Sequence, residues 1–170
     1  MREIRHSVKL ALLVFYLNFA QYTYGMIKLI GKSEQVALIG KNISYSYNQI
    51  LTHINQFADL LENVKGQRIV IFSENRPEWI IALYAAWKKG ALVVPIDVLS
   101  SHEDVAYIMQ DCSPKVVFCS REKSEFIHQV LTDVRHKAEV LVFDNLTANE
   151  TVEEINDFTI DDPERTALIL

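Results

Sequence analysis

Arg68-Ile69-Val70-Ile71-Phe72, then Asn75-Arg76-Pro77-Glu78-Trp79, then Gly90-Ala91-Leu92-Val93-Val94-Pro95: these three runs decide the fold. The first run is continuously apolar and rich in β-branched residues, as expected of a strand covered on both faces in a parallel sheet. Pro77 suits the first turn of a helix, and Asn75 is placed to cap it. Trp79, Ile80, Leu83, Tyr84 and Trp87 then recur at helical spacing. Gly90 stands where a helix ends in the left-handed conformation, and Leu92 to Pro95 returns as a strand. Strand, helix and strand over so short a stretch make a βαβ crossover.

The same alternation extends both ways. Upstream, Val36 to Ile39 and Ile43 to Tyr45 flank the turn residues Gly40-Lys41-Asn42 and predict a hairpin. Ser46 is a helix N-cap for a face of Ile50, Ile54, Phe57, Ala58 and Leu61. Downstream, Ser100 with Glu103, or Ser101 with Asp104, forms a capping box for a helix through Ile108 and Met109. Lys115 to Cys119 predicts a strand, Glu122 to Val134 an amphipathic helix and Val140 to Phe143 a strand. Asn145 to Asp162 is polar and acidic and reads as loop; Thr166 to Leu170 begins another apolar strand. The expected fold is therefore α/β, a mostly parallel sheet with flanking helices over residues 36–170. A buried strand is a poor place for a chain to stop, because its backbone groups lack partners, so further chain is expected beyond Leu170.

Residues 1–35 form a separate expectation. Leu10 to Ile27 carries no charge and follows Arg2, Arg5 and Lys9, which resembles a signal peptide or a membrane span. Its polar residues, however, fall in one stripe: Asn18, Gln21, Gly25, Lys28 and Lys32 follow steps of three and four. An amphipathic helix packed on its own domain accounts best for that stripe. A helix lying on a membrane surface or a partner, including a second copy, and a true anchor stay open as alternatives.

The chemistry that the residues exclude is as informative. The 170 residues carry a formal net charge of -5 and no basic stripe, which argues against nucleic acid as a partner. Cys112 and Cys119 are too few for a zinc site and read as reduced packing residues in a cytoplasmic protein. The three N-glycosylation sequons at Asn42, Asn145 and Asn149 are taken as chance. Gly25, Gly31, Gly40, Gly66 and Gly90 are too far apart for a phosphate-cradling loop. His53, His102, His128 and His136 have no ligand-spaced partner and read as solvated or capping. Glu153-Glu154 and Asp161-Asp162 read as solvated surface rather than an acid–base pair. No catalytic, cofactor-binding or metal-binding residue is assigned.

An ordered set of motifs supplies what the residues alone do not. Ser44-Tyr45-Ser46-Tyr47 resembles the "T-Y-x-E-L" entry of adenylate-forming enzymes, and Lys65-Gly66-Gln67-Arg68-Ile69-Val70-Ile71 their "x-G-D-R-V-A-I" strand. Asn75 to Trp79 is similar to "N-x-P-E-W", and Lys89 to Ile96 to "K-x-G-A-x-x-V-P-L". Glu103 to Asp111 with Pro114 to Val117 follows "E-x-x-Y-I-L-x-D-S-x-x-K-V-V". Asp162-Pro163 and Thr166 to Leu170 resemble the strand leading into "Y-T-S-G-T-T-G-x-P-K-G". Gln67 and Cys112 depart from the pattern, where an acid and a Ser are usual. The resemblance is to the N-terminal portion of the large domain, most like long-chain fatty acid–CoA ligases, cut before the phosphate loop. It implies a parent enzyme that uses ATP and Mg2+ to form an acyl-adenylate from a carboxylic acid and passes the acyl group to coenzyme A. It also implies that the catalytic residues lie beyond Leu170, and that the chain alone binds none of these ligands. An aryl or amino acid adenylation domain and an independent α/β interaction module are the alternatives.

Overall fold

The computed structural model describes residues 27–28, 34–40, 43–146 and 159–160. The centre is a four-stranded, all-parallel sheet of β4 (Arg68–Phe72), β5 (Leu92–Pro95), β6 (Val116–Cys119) and β7 (Glu139–Val142), in the order β5-β4-β6-β7. Helix α1 (Tyr47–Asp59) and helix α2 (Pro77–Lys88) cover one face, packing on Ile69, Ile71, Val93, Val116 and Phe118. Helix α3 (His102–Cys112) and helix α4 (Arg121–Asp133) cover the other, packing on Val70, Phe72, Val94, Val117 and Cys119. Successive strand residues thus feed opposite cores, which is why β4 from Ile69 on and all of β6 are apolar. The α/β fold with a parallel sheet and flanking helices is the expected one.

Local chemistry accounts for the element boundaries. Ser46 closes a reciprocal box at the start of α1: its Oγ accepts from Gln49 N at 3.3 Å, and Gln49 Oε1 accepts from Ser46 N at 2.8 Å. Ser101 Oγ accepts from Asp104 N at 3.1 Å and donates to Asp104 Oδ2 at 2.8 Å, so Ser101 rather than Ser100 is the N-cap of α3, but the Asp104 carboxylate turns to the Ser101 hydroxyl instead of its N–H and neither expected reciprocal box forms. Gly90 has φ +80° and its N–H donates to Trp87 O at 3.0 Å, ending α2 in the left-handed region that glycine tolerates best.

Upstream, β2 (Val36–Ile39) and β3 (Ser44–Ser46) form the antiparallel hairpin, with a register shift between Val36 and Leu38. A Cβ on Gly40 would sit 3.0 Å from Pro77 Cγ, so the hairpin turn rests directly on the first residue of α2.

Four expectations are corrected. Arg76, not Asn75, is the N-cap of α2; it makes no side-chain cap, and Pro77, which has no N–H to satisfy, sits just inside the helix. The last parallel strand is Glu139–Val142, and Phe143 turns away into a 3-10 segment, Phe143–Asn145. Ile27–Lys28 is a strand, β1, rather than the end of a helix; it pairs antiparallel with β8 (Thr159–Ile160), inside the stretch read as loop. The remainder of the N-terminal stretch, of the acidic segment 147–162, and the strand expected at Thr166 to Leu170 lie outside the described residues. Among the described residues no helix is long and apolar enough to cross a membrane.

Candidate functional site at the carboxyl edge of the sheet

The strand order contains a switch. From β4 the chain crosses through α2 on one face to β5, then returns through α3 on the other face to β6, on the far side of β4. Helices α2 and α4 therefore leave the ends of β4 and β6 on opposite faces. That divergence is a topological switch point, and in open α/β sheets the crevice at such a point, outside the carboxyl ends, is where ligands bind. Three segments meet there: Ser73 to Arg76 after β4, Ser120-Arg121 after β6, and Phe143 to Asn145 after β7.

Asp144 ties them together. Its Oδ2 accepts from Arg121 N at 2.9 Å, so a carboxylate from the end of β7 satisfies a free N–H at the start of α4. The same oxygen lies 2.9 Å from Arg76 Nη1, and Arg76 Nε donates to Glu78 Oε2 at 2.9 Å. The Arg76 guanidinium also sits 5.4 Å above the Phe143 ring. Arg121 Nη2 donates to Asn145 Oδ1 at 3.1 Å, and Lys123 Nζ lies 5.9 Å above the Phe72 ring. Below this layer, Ser73 Oγ donates to Glu74 O at 2.8 Å. Ser120 Oγ is buried without a hydrogen-bond partner among the described residues.

The electrostatics follow from this geometry. Partial burial pushes the Asp144 carboxyl up, but the Arg121 amide and the Arg76 guanidinium outweigh it and hold the group below its ordinary value. The hydrogen bond to Glu78 raises Arg76 against partial burial, so it stays charged. A lowered carboxyl contributes stability above its unfolded value near 3.8 and loses it as the pH falls through the folded value. Asp144→Ala is expected to cost about 1–2 kcal/mol at neutral pH through the lost cap and pair. Its deficit should begin to shrink below about pH 4, where the unfolded chain protonates Asp144, and fade as the pH falls through the lowered folded value. Urea midpoints at pH 7 and pH 3 check this; an equal deficit at both would show that the carboxylate charge contributes nothing.

The residues singled out from sequence do not converge on this crevice. Burial pushes the Cys112 and Cys119 thiols up to about 11, away from the thiolate that metal binding or nucleophilic attack requires. His128 is exposed, but the other described histidines have partners. His53 Nδ1 is 3.2 Å from Gln56 Oε1, His102 Nε2 is 3.1 Å from Asp133 Oδ2, and His136 Nε2 bonds Pro114 O at 2.7 Å. His128 is solvated as expected, the His53 hydrogen bond stays within α1, and His102 and His136 each reach a different segment of the chain. Glu153-Glu154 and Asp161-Asp162 lie outside the described residues.

The residues present do not fit a nucleotide phosphate. Gly66 and Gly90, both with positive φ, lie at the opposite, amino edge of the sheet, where Gly66 N donates to Gly90 O at 2.7 Å. They serve tight turns, and their amides are spent on the chain itself. At the carboxyl edge the Arg121 N–H at the start of α4 already faces a carboxylate, and the Lys123 N–H is spent on Ser120 O. No group of His, Cys, Asp or Glu among the described residues is arranged to hold a metal ion. No step of a reaction is therefore assigned to a residue of this chain.

Comparison with known proteins places the arrangement. Tyrocidine synthase 1 of Brevibacillus parabrevis is 33% identical over 123 residues, 69% of this chain and 11% of its own length. A long-chain-fatty-acid–CoA ligase of Mycobacterium bovis is 42% identical over 57 residues, 34% of this chain and 10% of its own. The crystal structure of ATP-bound MatB from Rhodopseudomonas palustris superposes with a TM-score of 0.66 at 22% identity, covering 84% of this chain and 30% of that one. The chain thus spans about a tenth to a third of each of these three proteins, and the last likeness is one of fold. The model of the AMP-binding enzymes matches residues 30–169, and the chain belongs to the AMP-binding enzyme family.

Proposed function

We propose that this chain contributes the N-terminal α/β portion of a ligase that activates a carboxylic acid with ATP. The family match over residues 30–169 carries the reading. In the reaction a carboxylate oxygen attacks the α-phosphorus of ATP, and pyrophosphate leaves to give an acyl-adenylate. A thiol then attacks the acyl carbon and AMP leaves. Mg2+ would neutralise charge on the transferring phosphate, and coenzyme A is the proposed thiol. The acid proposed is a medium- to long-chain fatty acid, supported by the 42% identity to the fatty-acid ligase. An amino acid or aryl acid is the second reading, supported by the longer match to tyrocidine synthase 1.

Pyrophosphate exchange tests both levels. The isolated 170-residue chain is expected to give no exchange above blank with any acid, because it presents no phosphate loop. The full-length parent protein should exchange with ATP, and with fatty acids ahead of aromatic or amino acids. Exchange by the isolated chain would overturn the first expectation; preference of the parent for an amino or aryl acid would overturn the substrate reading alone.

For location, we propose a cytoplasmic protein whose N-terminal stretch neither is cleaved nor spans a bilayer. The amide side chains of Asn18 and Gln21 would be left unpartnered in lipid. Fractionation of cells expressing the parent protein should release it with alkaline carbonate. Recovery only in a carbonate-resistant, detergent-soluble fraction would mean that the stretch is an anchor.

A further inference from the structure

We draw no further inference here: the strongest candidate, the side-chain cluster of Ser120, Arg121 and Lys123 at the start of α4, belongs to the carboxyl-edge crevice already described.

Discussion

Replacing Trp87 with alanine is expected to lower stability by about 3–5 kcal/mol, the range for emptying a well-packed aromatic site. Trp87 lies in the last turn of α2 and is 2% exposed. Its ring meets Tyr84 edge to face, with centroids 5.4 Å apart. Tyr84 is itself buried, and burial pushes its phenol well above the ordinary value. Truncation would leave a void between α2 and its neighbours that rigid helices cannot close. Trp79, on the same helix, is only half-buried, so Trp79→Ala should cost clearly less. Urea denaturation followed by circular dichroism orders the two. A Trp87→Ala midpoint equal to that of the unsubstituted chain would show that the side chain is not a packing element.

Phe118→Ala should cost a similar 3–5 kcal/mol, for a different reason. Phe118 is fully buried on β6, one of three near-parallel rings in mutual contact. Phe57 of α1 stacks at 6.1 Å and Phe143, after β7, at 5.5 Å. Each ring comes from a different element, so removing Phe118 takes a contact from both the helix ring Phe57 and the ring after β7, Phe143. Phe57→Ala and Phe118→Ala should therefore combine with a coupling of about 0.5–1.5 kcal/mol rather than add. A double-mutant cycle in urea measures that term, and a coupling of zero would show that the stack is only coincident burial.

How far the sequence reached can be traced through particular residues. Ser46, Ser101 and Gly90 announced their elements because a cap is decided within four residues of the chain. The apolar runs of β4 and β6 announced a two-sided sheet because burial on both faces leaves no alternation to read. Strand order is different: nothing local in Arg68 to Phe72 says that β5 lies on one side and β6 on the other. The crevice depends on that order, so it was invisible. Asp144 was missed for the same reason. It caps a helix that begins 23 positions earlier, and a lone Asp beside a polar stretch carries no mark of that role. Arg76 was quoted within a motif but given no task, since its partners Glu78 and Asp144 are one near and one 68 positions away. Asn75 failed as a cap because the helix starts one residue later than its side chain could serve.

The Arg76 guanidinium rests on Phe143, which also packs against both Phe57 and Phe118. Interior and crevice thus share a ring, with no layer of side chains between them. In a library of parent-protein variants selected for activity, Phe57 and Phe118 should score as sensitively as Arg76, although both are shielded from any ligand. Assigning roles from such a screen would mistake deep packing for contact with substrate unless the soluble yield of each variant were counted alongside its turnover.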